Sequence, residues 1–303
     1  MRRVRTIMVS IFIVAAVVLV ALFAALLLWL PSFVMTGSRQ TLDEAMQWQT
    51  EHYDTSFYQS LQKVDYTIEG FGGYQLHVEL LRNPSSTNDY VILSHGYTDN
   101  RFGSLKYAQM YLDLGFNCII YDLRGHGKNE PTFTTYGVLE AKDLVCLIDD
   151  TRERYPEAEV FGLHGESLGA ATTITSLKYQ PKVDFVVADC GFADIENVLR
   201  EGYKNAGVPE FLVDVADLGA RIRYGYAIKD MRPIDSLTRN DVPILFIHGK
   251  EDTFILPKNS QDMAAATHGP SEVHLIPGAG HAESILTQPD EYRRYVAEFL
   301  GRG

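Results

Sequence analysis

From about residue 64 the chain predicts an α/β fold, with a mostly parallel central sheet covered by helices on both faces. Three observations carry this. Several short runs, such as DYVILSHG, FNCIIYDLRG and VPILFIHG, centre on consecutive apolar residues (YVIL, CIIY, ILFI) rather than alternate ones, as strands buried on both faces require. Stretches with helical spacing separate them, and strands alternating with helices imply parallel pairing. Of the 303 residues, 46% are apolar and 22% charged, enough apolar material for a substantial core.

The elements follow in order. Ile7–Leu30 (IMVSIFIVAAVVLVALFAALLLWL) contains a single polar residue, Ser10, and exceeds the roughly 20 apolar residues that cross a bilayer. Arg2, Arg3 and Arg5 precede it, so the positive-inside rule puts the N-terminus in the cytoplasm and the bulk of the chain outside. A cleaved signal peptide would have a shorter apolar stretch ending in small residues. This one ends in LLLWLPSF, so residues 1–35 are expected to be an uncleaved single-pass anchor in the cell membrane. Residues 36–63 are polar and amphipathic, and are expected to form a stalk helix.

Residues 64–303 then form the main domain. YTIEGFGGYQLHVELLRN gives two short strands about a Gly-Gly turn. DYVILSHG is a strand, RFGSLKYAQMYLDLG a helix, FNCIIYDLRGHG a strand, and LEAKDLVCLIDDTRERYP an amphipathic helix stopped by proline. EVFGLHGES and SLGAATTITSLKYQP form a strand and a helix; VDFVVADCG, VPILFIHGKED and EVHLIPGAGH are further strands, and QPDEYRRYVAEFLG is the closing helix. The stretch from Phe192 to Asp241 is far longer than an ordinary connection. It is expected to hold a crossover helix and a small helical cap, over about residues 192–241.

Charge and cysteines exclude some classes. The formal net charge is −12; without Arg2, Arg3 and Arg5, 24 basic residues face 39 acidic ones. Such a surface repels phosphate backbones, so no nucleic-acid partner is expected. Cys118, Cys146 and Cys190 are too few for a disulfide framework and lie in apolar runs, where each is expected to act as a small buried hydrophobe. Their spacing matches no zinc site, and no metal or other cofactor is expected.

The chemistry is concentrated in Gly165-Glu166-Ser167-Leu168-Gly169, which follows a predicted strand and opens a predicted helix. That is the context of a nucleophile elbow. The turn is so tight that residues flanking the serine must be small, and the helix start aims amide donors at developing negative charge. A serine hydroxyl needs a general base, and in this architecture the carboxylate and then the histidine follow it in the chain. His281, in PGAGHAES, is the expected base; His268 near a helix end and His274 within a strand suit the role less well. Asp252 is the expected acid, with Glu251 its competitor. Both segments follow predicted strands and so fall on the carboxyl edge of the sheet, where α/β folds hold their sites. The amides of Leu168 and Tyr97 are the expected oxyanion donors, with Gly96 allowing close backbone approach and His95 bracing the loop. The glycines of DLRGHGKNE lack the dinucleotide spacing and are read as a structural turn; Asp189-Cys190-Gly191 ends a strand near the site and is read as structural, with a part in shaping the pocket as the alternative.

Taken together, SHGYTDNR, YDLRGHGKNE, GLHGESLGA, ILFIHGKEDTFILP and IPGAGHAES resemble the α/β-hydrolase superfamily. The resemblance spans about residues 64–303 and is nearest to bacterial membrane-anchored cell-surface esterases, related to prolyl-aminopeptidase-like and cinnamoyl-esterase groups. It implies an α/β-hydrolase fold, the site residues already argued, and a small-molecule ester or acyl substrate. Many relatives carry serine where this chain has Asn129, a position read as structural. The expected activity is ester hydrolysis through an acyl-enzyme. Peptidase, amidase, thioesterase or acyltransferase chemistry is the alternative, which Glu196, Glu201, Glu210 and Asp214 in the cap leave open, and a non-catalytic binding protein is a more distant one. Phe211, Leu212, Val213, Tyr224 and Tyr226 suggest an apolar acyl pocket or, more simply, the core of the cap itself.

Overall fold

A computed structural model describes residues 2–303. Its centre is an eight-stranded sheet: β1 (Lys63–Glu69), β2 (Gln75–Leu81), β3 (Tyr90–Ser94), β4 (Asn117–Tyr121), β5 (Phe161–Glu166), β6 (Phe185–Asp189), β7 (Ile244–Gly249) and β8 (Ser271–Ile276). The spatial order is β1-β2-β4-β3-β5-β6-β7-β8. β1 and β2 pair antiparallel with each other, and β2 with β4; every pairing from β4 to β8 is parallel. The Gly-Gly turn between the first two strands is as expected, with Gly72 and Gly73 at positive φ.

The helices are α1 (Arg2–Met35), α2 (Leu42–His52), α3 (Ser56–Ser60), α4 (Leu105–Asp113), α5 (Val138–Arg154), α6 (Leu168–Ser176), α7 (Ile195–Asn205), α8 (Phe211–Tyr224), α9 (Lys258–Ala266), α10 (Ser284–Thr287) and α11 (Pro289–Phe299). Alternate residues of one strand face different helix layers, which explains the unbroken apolar runs. Tyr90 and Ile92 of β3 join the core with Leu144, Leu147 and Ile174 of α5 and α6. Val91 and Leu93 join the core with Tyr107, Tyr111 and Val296 of α4 and α11.

The insertion between β6 and β7 is helical. α7 and α8 fall in the stretch expected to hold a crossover helix and a small helical cap, and short 3-10 turns at Ile228–Asp230 and Pro233–Ser236 lead back to the sheet. A third core, beside the first two, joins this cap to the end of α1 through Leu30, Val34, Met35, Ile195, Val198, Ala216 and Ala220.

α1 is long and apolar enough to cross a membrane. Its C-terminal part, from Leu27 on, packs on α8. The approach is close because Gly219 faces it: a Cβ there would overlap the Leu27 carbonyl oxygen and touch Pro31 Cγ. Arg223 Nη1 donates to Leu28 O at 2.7 Å and to Ser32 Oγ at 2.6 Å, and Tyr224 donates to Ser32 Oγ. The segment after α1 forms α2 and α3 and lies against the domain. α2 begins with a capping box between Thr41 and Glu44, and its Gln49 is fully buried, with its side-chain amide donating to Asp99. Cys118 and Cys190 are buried as expected; Cys146 is only half-buried, on the flank of α5.

Candidate active site

The loops that leave the carboxyl ends of β3, β5, β6, β7 and β8 converge on one edge of the sheet. β5 delivers Ser167 at φ 53° and ψ −111°, an uncommon conformation for a residue with a Cβ. The flanking glycines have a steric cause. A Cβ on Gly165 would overlap the backbone at Gly169 and Ala170, and one on Gly169 would overlap the Ser94 carbonyl. Cys190 and Ala282, beside the same site, also have positive φ.

Ser167, His281 and Asp252 are brought together. His281 Nε2 lies 3.0 Å from Ser167 Oγ, and its Nδ1 lies 2.7 Å from Asp252 Oδ2. An ionised carboxylate only accepts, so Nδ1 carries the proton and the neutral ring's Nε2 accepts from the serine. Asp252 is buried and also receives the amides of Phe254 and Ile255 at 2.9 Å each. His248 Nε2 lies 3.2 Å from its Oδ2. Burial works against its charge, but the bonds from His248 and His281 outweigh that and hold its carboxyl well below the usual range. Glu251, the competitor, turns away and accepts from the Gly278 amide. His268 pairs with Asp241, and His274 with Glu272, both outside this group.

The loop after β3 runs close to the serine, since a Cβ on Gly96 would sit 3.9 Å from Ser167 Cβ. Leu168 is the first residue of α6, where amides have no partner within the helix. His95 braces the loop as expected: its Nε2 accepts from the Leu123 amide at 2.9 Å, and its Nδ1 lies 2.7 Å from Gly96 O. Burial pushes its pKa down to about 3, which keeps the ring neutral. The turn Asp122–Glu130 is structural. Asp122 accepts from the amides of Arg101 and Lys128, and Asn129 joins the turn to β2 through bonds to Asp122 O and from the His77 amide.

A polar group beneath the serine was not foreseen. Lys106 forms a buried ion pair with Glu166, the residue directly before the serine in the elbow motif. Tyr107 donates to Glu166 Oε2 at 2.5 Å and lies 3.0 Å from Asp189 Oδ2. Asp189 is pushed up to about 6, first by burial and then by the charge of Glu166. Burial opposes the charge on Lys106, but Glu166 beside it outweighs this and raises its pKa. The one sequence signal was a charged residue at the end of an otherwise apolar strand.

These residues open into a cavity of about 920 Å³. Its polar end holds Ser167, His281 and Glu166. Its apolar walls include Phe33 and Val34 of α1, Trp48 of α2, and Ile195, Val198 and Leu199 of α7. The five cap residues named from sequence do not line it. Phe211 points to solvent, Val213 is buried, and Tyr224 and Tyr226 pack on Phe133. Glu196 and Asp214 are both paired with Arg200, at 2.6 Å each, so neither is a free carboxylate in the cavity.

The Alpha/beta hydrolase family model matches residues 91–295. The protein YqkD of Bacillus subtilis, itself uncharacterised, is 31% identical over 252 residues, covering 80% of this chain and 81% of that one. Among solved structures, an esterase from Pyrococcus furiosus superposes with a TM-score of 0.68 at 26% identity, over 82% of this chain and 94% of its own. A thermophilic esterase from Thermogutta terrifontis shares the fold, with a TM-score of 0.56 at 21% identity over 80% and 98%. The fold, the site's place on the sheet edge and these similarities agree: the chain belongs to the alpha/beta hydrolase family.

Proposed function

We propose that the protein is a membrane-anchored serine hydrolase that cleaves carboxylic esters through an acyl-enzyme intermediate. The observation that carries this reading is the hydrogen-bonded chain from Ser167 through His281 to Asp252. His281 takes the hydroxyl proton as Ser167 Oγ attacks the acyl carbonyl, and Asp252 orients the ring and stabilises its charged form. The amides of Tyr97 and Leu168 receive the oxyanion. The C–O bond to the leaving group then breaks, and His281 returns the proton to the departing alcohol. Water, deprotonated by the same ring, attacks the acyl-serine and frees the acid. The apolar walls favour an acyl group with a sizeable hydrocarbon part, and the esterase similarity at 26% identity supports ester over amide bonds.

In the same reading, residues 1–35 anchor the chain, residues 36–63 link it to the catalytic domain at 64–303, and that domain stands outside the cytoplasm. The test is fluorophosphonate labelling of the full chain in nanodiscs, beside turnover of p-nitrophenyl esters. Labelling and turnover that both vanish in Ser167→Ala are the expected result; an unlabelled, folded wild type would overturn the reading.

A further inference from the structure

The cap helix α8 presents three sectors. Val213, Ala216, Gly219 and Ala220 are buried, and this side meets α1. Asp214, Asp217 and Arg221 form a polar flank, each in an ion pair with Arg200, Lys229 or Asp230. The remaining sector is apolar. Phe211, Val215, Leu218 and Ile222 fall within roughly 60° of one another at 3.6 residues per turn; Val215, at its edge, is half-buried against the core shared with α1, and the other three are open. Phe211 is 62% exposed, Leu218 45% and Ile222 65%.

The position of α8 along α1 says what meets this stripe. A hydrocarbon core of about 30 Å takes up roughly 20 residues at 1.5 Å each. Counted from Ile7, the first apolar residue of the span, it ends near Leu26. The contacts of α8 begin at once above that point, at Leu27, Leu28, Pro31 and Ser32. With α1 placed across a bilayer in this register, α8 sits at the level of the lipid headgroups. Trp29, exposed and stacked on Phe33, lies at the same level, where aromatic side chains favour the membrane interface. Phe33 also lines the catalytic cavity, so the cavity wall and the membrane surface share one turn of α1.

We propose that α8 rests its Phe211–Ile222 stripe in the lipid leaflet from which α1 emerges, and that the cavity draws its substrate, a long-chain lipophilic ester, from that leaflet. This rests on the reading of α1 as a membrane anchor and of Ser167 as the nucleophile. The stripe acts as an interfacial helix does, with apolar side chains at the acyl boundary and charged flanks in the headgroups. An ester dissolved in the leaflet then reaches the apolar wall of Phe33, Val34, Val198 and Leu199 without crossing water.

Two measurements on the full chain in phosphatidylcholine nanodiscs test this. In the first, a nitroxide is attached to Leu218→Cys in a Cys146→Ala background, with Glu157→Cys, an exposed residue in the loop before β5, as reference. The expected result is high collision with oxygen and low collision with a water-soluble nickel chelate at position 218, the reverse of position 157. Free access of the chelate to position 218 would overturn the proposal, and so would shielding from both reagents, which would mean that protein covers the stripe. In the second, the triple variant Phe211→Ser/Leu218→Ser/Ile222→Ser is compared with wild type. Hydrolysis of water-soluble p-nitrophenyl butyrate should be unchanged, while p-nitrophenyl palmitate held in the bilayer should be hydrolysed at least fivefold more slowly. Equal palmitate rates would overturn leaflet loading. A wild type that cleaves neither ester would overturn the esterase reading and with it the loading step, and the nitroxide depth would still decide the docking of α8.

Discussion

Asp252 sits between two imidazoles, His248 and His281, and its carboxyl is held below the usual range. A carboxyl whose folded pKa lies below its unfolded value of about 3.9 stabilises the fold above that pH, and the contribution drains away as pH falls through the folded value. Asp252→Asn should therefore flatten the acid limb of unfolding free energy below about pH 4, measured by denaturant titration across that range. Its kcat should fall by roughly 10³- to 10⁴-fold, since the amide no longer orients His281. The buried pair of Lys106 and Glu166 gives a second expectation at this scale. Lys106→Met leaves a buried carboxylate unpaired and should cost about 3–5 kcal/mol, whereas Lys106→Met/Glu166→Gln should cost less. A double variant as unstable as the single one would show that packing, not charge, is what Lys106 contributes. The three residues proposed as nucleophile, acid and base stood out in the sequence because each follows an apolar strand at a turn of distinctive composition, and the structure brings the three side chains within hydrogen-bond distance. Lys106 and Asp189 did not, because the sequence does not say which charged residues of a helix or a strand end turn inward.

At the scale of elements, the strands were legible and the cap was only partly so. A strand buried on both faces leaves an apolar run that nothing else in the domain mimics. A cap helix has two apolar sides, one for its own core and one for a cavity or a surface, and residue type does not separate them. The residues that line the cavity come from α7, at Ile195, Val198 and Leu199, while the apolar residues of α8 turn to α1 or outward. The packing of α1 on α8 was hidden for a related reason, since a helix apolar all round gives no preferred face. Gly219 is the key to that contact. Gly219→Val should push the two helices apart and lower stability by about 1–3 kcal/mol, read from thermal unfolding of the full chain in nanodiscs. An unchanged midpoint would mean that α1 and α8 do not touch there.

For the whole molecule, the apolar helix α1 and the α/β domain are not separable at the end of α1. Leu30, Val34 and Met35 are buried in the core shared with the cap. At about 1.5–3 kcal/mol for each buried apolar side chain, a chain that starts at residue 36 should lose on the order of 5 kcal/mol. It should also label faster with fluorophosphonate, because Phe33 and Val34 no longer wall the cavity. Equal unfolding midpoints for the two chains would refute this. The sequence places a boundary at residue 35 because hydropathy changes there, but packing ignores that change.

The carbonyl of Val34 gathers two phenols: Tyr136 donates to it at 2.5 Å and Tyr97 at 3.2 Å. The Tyr97 hydroxyl also accepts from the Gly37 amide at 2.8 Å, and the two rings stack. Tyr97 thus joins the end of α1, the proposed anchor, to the backbone proposed to receive the oxyanion. A helix that tilts to match a thinner or thicker bilayer would carry its last carbonyl with it, at a cost of fractions of a kcal/mol per ångström of mismatch. Turnover should then depend on the acyl length of the surrounding lipid even for a small soluble ester. Tyr97→Phe, with the linkage cut, should make the rate indifferent to bilayer thickness.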